Sequence, residues 1–395
     1  MRLTKLYIHN YKSFYDTTIE FDKLNIVVGE NNSGKSNLID VLEFINIAMH
    51  KDIERAIDEK GGYERIKNYS AIGEEKIIVR TIFKIDNNYI NNSVCLENIS
   101  SNGFITLSIS FTKKNSYFII FVNSSNLKYI YSTKSLFKRE TQNNSICHIY
   151  EKNSREKEKL YSHKLEGIIN GIWLMALRSE IKSNILLSTY YFNTQKIKTL
   201  SNQDSKYTKL LKDGSNLGKV LYKIKEKNKN RFEAISNSLI TTVNEIDGIE
   251  IFKVAGNYII AFKERGEEPI PIHIVSDGTI NFLATMTALN QDSNDFLLAF
   301  EEPERHLHFK VVNYLLESFR NSNKQIIITT HSTEMLKYAN LNEVIFIYRN
   351  RDGDTKTIRA DRVPNLKEKM EHMKYERCMT LDEMLDEDMV WDFEE

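Results

Sequence analysis

The chain has 395 residues, of which 54 are lysine or arginine and 54 are aspartate or glutamate, so no overall basic field marks it as a nucleic-acid binder. Hydrophobic residues make up 41% and only four prolines occur, which argues against a disordered protein and allows one large domain or two ordinary ones. Three widely separated cysteines, no signal-peptide pattern and no apolar run of about eighteen residues predict a cytoplasmic protein without a membrane segment.

The N-terminal part predicts strands that lead into a glycine loop and a helix. Residues 3–9 alternate apolar and polar side chains, as a half-buried strand does, and residues 18–21 form a second such run. Residues 24–28 are mostly apolar and predict a buried strand. Beyond the loop, apolar residues recur at helical spacing, so we expect a helix that ends near His50.

The loop between that strand and that helix has P-loop spacing. Gly29 is followed by four residues and then by Gly34, Lys35 and Ser36, which matches G-x-x-x-x-G-K-[ST]. Loop amides and a helix N-terminus attract phosphates, Lys35 is expected to reach the β and γ phosphates, and the Ser36 hydroxyl is expected to hold Mg²⁺. We therefore predict an ATP site with Mg²⁺ that is formed by Gly29, Asn31, Asn32, Ser33, Gly34, Lys35, Ser36 and Asn37.

The middle of the chain changes from helical to strand-like patterns and back. Residues 51–60 predict a short helix, and four apolar runs between residues 76 and 131 predict an antiparallel sheet. Further elements are predicted as helices at residues 161–182, 214–227 and 231–246, a strand at 184–192 and a hairpin at 250–263. No heptad pattern persists, so no long coiled-coil arm is expected.

An apolar run at residues 296–300 ends in Glu301, Glu302, Pro303 and Glu304. A buried strand that delivers carboxylates to the ligand edge of a sheet is typical of the Walker B motif. In that interpretation Glu301 binds Mg²⁺ directly or through water, and Glu302 orients and helps to deprotonate the attacking water. The alternative is an acidic surface turn at a strand end.

Two further segments are candidates for phosphate contacts. Residues 325–328 predict a buried strand that ends shortly before His331, where a γ-phosphate sensor is needed; the alternative is a structural histidine. The segment SDGT at residues 276–279 precedes a helix, so Ser276 or Asp277 is expected to cap it. A capped helix N-terminus is also an anion site, so the structural and functional interpretations of this segment are compatible.

The order of these segments resembles the ABC-type ATPase heads of the SMC, RecF and OLD class. More narrowly, it is similar to the single-chain AAA/OLD-like ATPases of bacterial anti-phage systems such as Septu, PARIS, AbiL and the ATPase half of Gabija. The resemblance is carried by LTKLYIHNYKSF, IEF and LNIVVGENNSGKSNLID near the N-terminus, and then by DGSNL, SDGT, EEPE and TTHS. It is strong over residues 1–50 and 270–350, and over residues 50–265 it holds only in layout.

The resemblance implies an α/β fold, namely an ABC-type ATPase head with a mixed central sheet, an antiparallel β subdomain and a helical insertion. The head would span residues 1–350 and be assembled from both ends of the chain, with the β region at about 75–135 and the insertion at about 150–245. Residues 351–395 would form a C-terminal extension, in which the last 14 residues carry eight acidic side chains and no basic one.

The resemblance also implies a composite site shared by two heads. Glu302 and His331 would act in cis as catalytic residues, whereas Ser276 and Gly278 would reach the γ-phosphate of a nucleotide held by a second head. ATP would thereby join two chains in a homodimer or higher oligomer. The sequence departs from the family pattern in three ways. Glu301 replaces the usual aspartate, and RHLHF at residues 305–309 lacks the usual glycine and proline. No glutamine occurs before residue 142, so the Q-loop metal contact is unassigned.

The function implied is an ATP-hydrolysing switch that controls a partner in anti-phage defence. The expected partner is a separately encoded nuclease or toxin of TOPRIM or HNH type, because the sequence shows no second catalytic constellation. A self-contained OLD-type nuclease is disfavoured, since only about 45 residues follow the last predicted core strand. The acidic tail, residues 382–395, is its candidate docking segment, although a terminal helix folded on its own chain explains that segment equally well. The main alternative is a RecF-like repair ATPase that clamps DNA itself, whereas SDGT in place of LSGGQ disfavours a transporter subunit.

Overall fold

The computed structural model describes residues 1–70, 76–84, 104–113, 115–123, 127–136, 144–151, 186–199, 209–264, 268–368 and 381. Its strands are β1 (Arg2–Tyr11), β2 (Phe14–Glu20), β3 (Leu24–Val28), β4 (Ile77–Lys84), β5 (Phe104–Phe111), β6 (Asn115–Asn123), β7 (Leu127–Leu136), β8 (Asn144–Glu151), β9 (Leu187–Tyr190), β10 (Ile246–Val254), β11 (Asn257–Glu264), β12 (Ile270–Pro271), β13 (Leu297–Glu301), β14 (Gln325–Thr330), β15 (Val344–Arg349) and β16 (Thr355–Arg359).

The α-helices in the same ranges are α1 (Lys35–His50), α2 (Ile53–Glu59), α3 (Tyr63–Ile66), α4 (Thr194–Lys198), α5 (Leu217–Lys227), α6 (Lys229–Thr242), α7 (Asp277–Asn290), α8 (Phe309–Asn321) and α9 (Thr333–Leu336). The helix predicted at residues 161–182 and the acidic tail at residues 382–395 lie outside the described residues.

A largely parallel sheet carries the strands that the sequence links to nucleotide binding. Among the described residues its order is β16-β15-β3-β14-β13-β9, with β16 antiparallel to β15 and the other neighbours parallel, so the predicted mixed central sheet is confirmed. All residues of β3 and β14 are buried, because both faces of the sheet are covered. The carboxyl ends of β3, β13 and β14 therefore meet at one edge of the sheet.

The predicted antiparallel strands belong to a larger sheet. In the ranges that the structure describes, seven strands pair antiparallel in the order β2-β1-β4-β5-β6-β7-β8. The sheet therefore takes in the N-terminal hairpin β1–β2 and continues through β8, beyond the predicted limit near residue 135. The division of the chain into domains remains a prediction.

Helix α1, which follows the P-loop, packs between these two sheets. Its residues Leu38, Val41, Leu42 and Ile45 recur at i, i+3, i+4 and i+7 and are buried with side chains of β1, β4 and β5. The same cluster contains residues of the central sheet, among them Val27, Leu297, Ala299, Ile327 and Ile345. Contacts on two sides fix the direction of α1, and therefore fix where its N-terminus points.

The opposite face of the central sheet is covered by helices α5 to α8 and by the β10–β11 hairpin. Their apolar residues form a second cluster with β3, β13 and β14. Gly218 of α5 lies against the hairpin, where an added Cβ would be 2.9 Å from the carbonyl oxygen of Tyr258. In the part of the chain that the structure describes, no helix combines the length and apolar character needed to cross a membrane.

Candidate functional site

The P-loop is packed so closely that both of its motif glycines are required. Gly34 has φ +114°, which strains any residue with a side chain, and an added Cβ would lie 2.6 Å from Thr355 Oγ1. At Gly29 an added Cβ would lie 2.0 Å from the carbonyl oxygen of Ile347. The loop therefore rests directly on the end of the central sheet, with Asn31, Asn32 and Ser36 exposed to solvent.

The Lys35 ammonium group lies within the loop. Its Nζ donates hydrogen bonds to the carbonyl oxygens of Gly29, at 2.5 Å, and Glu30, at 2.7 Å. Burial lowers the pKa of Lys35, while the carboxylates of Glu302, Glu30 and Glu301 act in the opposite direction. A partly desolvated cation at the N-terminus of α1 favours an anionic ligand at this place.

Ser36 links the start of α1 to the end of β13, because its hydroxyl donates a hydrogen bond to Glu301 Oε1. A hydroxyl and a carboxylate are hard oxygen ligands of the kind that Mg²⁺ prefers. No group of three or more His, Cys, Asp or Glu side chains suited to a metal ion occurs within the described ranges. Since Mg²⁺ usually takes one or two protein ligands together with phosphates and water, this donor pair fits Mg²⁺ held jointly with a nucleotide.

Glu302 and His331 lie side by side at the ends of β13 and β14. His331 Nδ1 is 2.8 Å from Glu302 Oε1, and the two side chains are 53% and 28% exposed respectively. Glu302 has φ +47°, which is unfavourable for a residue with a side chain, and its N–H donates to the Thr329 carbonyl oxygen at 2.8 Å. Strained residues of this kind cluster at functional sites, where surrounding contacts hold them in place.

The SDGT segment forms the N-terminus of α7, as the sequence predicts. Ser276 is exposed and caps the helix, since its Oγ accepts a hydrogen bond from the Thr279 N–H at 3.2 Å. Gly278 is buried, and an added Cβ would lie 2.1 Å from the carbonyl oxygen of His306. The fold of a single chain therefore already explains the glycine at 278, and a contact of Ser276 or Gly278 with a second head remains a prediction.

A cavity of about 370 Å³ adjoins Glu301 and Glu302 at the end of β13, and its lining consists of Tyr191, Phe192, Asn193, Asn281, Glu301, Glu302 and Arg305. Asn193 comes shortly after β9, the strand parallel to β13, and its Oδ1 caps α4 by accepting a hydrogen bond from the Lys196 N–H at 3.0 Å. Asn193 is not among the site residues predicted from the sequence. The available signal was its position directly after the strand predicted at 184–192.

The hairpin β15–β16 donates hydrogen bonds to the P-loop. Strand β16 was not predicted from the sequence. Arg349 Nε donates to the Asn32 carbonyl oxygen at 3.0 Å, and Thr355 Oγ1 donates to the Ser33 carbonyl oxygen at 2.9 Å. Asn37 Nδ2, from the first turn of α1, donates to Ser13 Oγ at 2.8 Å. These contacts hold two carbonyl groups of the loop and one side chain of its helix.

Glu304 is a buried carboxyl group beside this site. It is 6% exposed, and its Oε1 accepts a hydrogen bond from Thr330 Oγ1. Burial raises the pKa of Glu304 to about 7, and the charge of Glu302 adds to the rise. An unfolded glutamate has a pKa of about 4.3, so the stability that the raised pKa provides is fully present below that pH and is lost as the pH rises through about 7.

Comparison with known proteins gives a family match and two curated relatives. A family model described as "AAA domain, putative AbiEii toxin, Type IV TA system" matches residues 24–337. An "ATP/GTP phosphatase" of Helicobacter pylori (strain ATCC 700392 / 26695) is 24% identical over 341 residues, which cover 84% of this chain and 85% of the relative. A "DNA replication and repair protein RecF" of Acetivibrio thermocellus (strain ATCC 27405) is 23% identical over 381 residues, which cover 88% of this chain and 98% of the relative.

Two solved structures share the architecture. The Smc head bound to the C-terminal winged-helix domain of ScpA aligns with a TM-score of 0.55 and 16% identity, covering 91% of this chain and 98% of that one. The Pyrococcus furiosus Smc head domain with an extended coiled coil, bound to the C-terminal domain of ScpA, aligns with a TM-score of 0.50 and 16% identity, covering 93% and 99%. At such identity these alignments describe the fold alone.

Proposed function

We infer the function from two premises: the chain belongs to the family of AAA domains described as putative AbiEii toxins, and it is an ABC-type ATPase of the SMC/RecF-like class. We propose that it is a Mg²⁺-dependent switch in anti-phage defence. In this proposal ATP binding pairs two heads, and the paired heads control a separate nuclease or toxin. The observation that carries the proposal is the meeting of Lys35, Ser36, Glu301, Glu302 and His331 at one edge of the central sheet.

Each of these residues has a role in hydrolysis that its contacts support. Lys35 and the loop amides bind and orient the phosphates, as the cation already seated in the loop is suited to do. Ser36 and Glu301 would hold Mg²⁺, which supplies charge neutralisation of the phosphates when bound. Glu302 accepts the proton of the attacking water, and His331, hydrogen-bonded to it, holds the carboxylate and contacts the γ-phosphate.

Pairing of two heads is supported by the surface around the start of α7. Ser276 presents a capped helix N-terminus, which is suited to an anion. Two apolar residues of this part of the chain are exposed: Ile274 at 66%, two residues before Ser276, and Phe309 at 48%, three residues after His306, whose backbone lies against Gly278. We infer that these exposed side chains, together with the anion site at Ser276, contact a second copy that carries the nucleotide.

Control of a separate effector is supported by the resemblance and by the composition of the acidic tail, in which apolar residues such as Trp391 and Phe393 interleave with the charges. We expect truncation after Leu381, which is buried in the core cluster over the central sheet and is kept, to leave ATP hydrolysis within about twofold of the full chain, because the removed tail follows the ATPase motifs. Binding to the proposed nuclease or toxin partner should weaken by at least about tenfold, as measured by co-purification and titration.

A chain with Trp391→Ser and Phe393→Ser keeps every charge of the tail but loses two of its apolar side chains. Weaker effector binding by this variant would indicate apolar docking, whereas unchanged binding would indicate electrostatic attraction. Unchanged effector binding by the truncated chain would contradict docking through the tail. Purified chain that cuts DNA or RNA unaided, and loses cleavage through a substitution outside the ATP site, would contradict control of a separate effector altogether.

The alternative function, direct DNA clamping, is favoured by one feature of α5. Lys219, Lys223 and Lys227 are spaced four residues apart and therefore lie along one face of the helix. The pKa of Lys223 is lowered by partial burial and by the charges of Lys219 and Lys227, so these cations repel one another. Lys219 is buried, whereas Lys223 is half-buried and Lys227 is exposed, so the last two are the cations of this helix face that can attract a polyanion such as DNA.

We expect the double substitution Lys223→Glu and Lys227→Glu to test this alternative. If α5 contacts DNA, affinity for a duplex should fall by at least about tenfold, and the slope of log affinity against log salt should decrease by about two, because two phosphate contacts are lost. The matched control is Lys113→Glu with Lys337→Glu, the same change of charge at lysines that pair with Glu64 at 2.8 Å and Glu334 at 2.7 Å. Equal loss in both double variants would reject a DNA surface on α5.

A further inference from the structure

Two contacts lie side by side across the ends of β13 and β14. On the solvent side, Glu302 is in contact with His331 at 2.8 Å. On the interior side, Glu304 accepts a hydrogen bond from Thr330, and Thr330 is fully buried. The partners of both contacts are close in sequence, so the buried contact and the exposed contact join the same turn to the same strand end.

The Thr330 hydroxyl orients the backbone around His331. Besides donating to Glu304, Thr330 Oγ1 accepts a hydrogen bond from the Ser332 N–H at 2.8 Å. The residues before and after His331 are therefore held by the same hydroxyl. The exposed histidine side chain starts from a backbone whose position depends on the Glu304 carboxyl.

The turn that carries Glu304 is also tied to the helix that begins with SDGT. Asn281 Nδ2, on α7, donates to the carbonyl oxygens of Pro303 at 3.1 Å and Arg305 at 3.2 Å, the residues on either side of Glu304. One turn further toward the N-terminus of α7, Gly278 allows the close approach of the His306 carbonyl oxygen. The turn is thus held by α7 on one side and by Thr330 on the other.

These restraints are needed because the catalytic pair cannot fix its own geometry. A solvent-exposed side-chain pair contributes little to its own geometry, whereas a buried polar pair is costly to separate because its groups would lose their partners. We propose, on the basis of the function proposed above, that Glu304 and Thr330 are positioning residues that form a latch setting the distance between Glu302 and His331, and that Asn281 connects this latch to α7.

The protonation behaviour of Glu304 is consistent with that role. Burial raises its pKa to about 7, so near neutral pH the carboxyl is protonated for much of the time. Its Oε2 is buried and has no hydrogen-bond partner among the described residues, which disfavours a full charge at this place. A glutamine at 304 keeps the shape and the acceptor oxygen of the neutral form, and is therefore the conservative substitution.

The test compares steady-state ATP hydrolysis by Thr330→Val, Thr330→Ser and Glu304→Gln with that of the wild type. We expect Thr330→Val to lower kcat by about 30-fold with the KM for ATP within about threefold, because misplacement of a catalytic group costs rate while the P-loop contacts persist. Thr330→Ser and Glu304→Gln retain the hydrogen bond and should stay within about threefold of wild-type kcat.

Thr329→Val is the matched control. Thr329 is the neighbouring threonine of β14 and equally buried, but its hydroxyl has no hydrogen-bond partner among the described residues. It should leave kcat unchanged. Asn281→Ala is the second variant should Thr330→Val fail to fold, and we expect it to lower kcat by about tenfold at unchanged KM, since it frees the turn from α7.

The outcomes separate a latch from a structural role. The proposal would be overturned if both Thr330→Val and Asn281→Ala had the wild-type kcat. It would also be overturned if Thr329→Val and Thr330→Val lowered kcat equally, or if Thr330→Ser had as low a kcat as Thr330→Val. Urea denaturation measures the free energy of unfolding of each variant and shows whether it folds. The wild type should be less stable at pH 8 than at pH 6, and Glu304→Gln should remove part of that difference. If the Thr330 and Asn281 variants hydrolyse ATP at the wild-type rate while Glu302→Gln is inactive, the positioning role is rejected and the proposed ATPase function is retained.

Discussion

Glu302→Gln is expected to bind ATP and to hydrolyse it at least about 100-fold more slowly than the wild type, because an amide cannot accept the proton of the attacking water. The substitution keeps the shape of the side chain and an oxygen that can accept a hydrogen bond from His331, which lies 2.8 Å from the carboxylate. Nucleotide affinity should be retained, because the loop contacts of Lys35 are made to carbonyl groups and not to Glu302.

The measurement is phosphate release together with ATP binding by equilibrium titration. Glu334→Gln is the matched control, since Glu334 follows His331 closely in sequence but pairs with Lys337 on the surface at 2.7 Å. It should hydrolyse ATP at the wild-type rate. Turnover by Glu302→Gln at the wild-type rate would show that the Walker B assignment is wrong, whatever the affinity for ATP.

Local sequence patterns were sufficient for the parts of the site that are built from consecutive residues. Gly29, Gly34, Lys35 and Ser36 form one loop between a strand and a helix, and both elements have clear apolar periodicity. The strands β13 and β14 were predictable for the same reason, since each is a short apolar run that ends in polar residues. The roles given to their terminal residues stay predictions.

Features that depend on contacts between distant segments could not be predicted. Strand β16 alternates polar and apolar residues only weakly, and Thr355 is buried because it pairs with β15 and lies against Ser33, more than 300 residues earlier. A glutamate such as Glu304 is expected on the surface, and its burial follows from the contact with Thr330 on the next strand. Gly278 is explained by the backbone of His306, which no local pattern indicates.

The central claim is that ATP joins two heads, each completing the other's site. Lys35→Ala should inactivate a chain by removing the cation of its own P-loop, and Ser276→Arg by blocking the helix N-terminus that it offers to a partner. We expect neither substitution to disturb the core, because Ser276 is exposed and the Lys35 ammonium group makes its hydrogen bonds to loop carbonyl groups. Each variant alone should therefore fold and show almost no hydrolysis.

The most direct measurement is the ATPase rate of an equimolar mixture of Lys35→Ala and Ser276→Arg chains. Half of the dimers would be mixed and each would hold one intact site, so we predict recovery to about one quarter of the wild-type rate. A mixture of Lys35→Ala with Glu302→Gln, two residues that act in the same head, should recover nothing. Activity that stays at the sum of the separate variants in the first mixture, or equal recovery in both mixtures, would contradict a shared site.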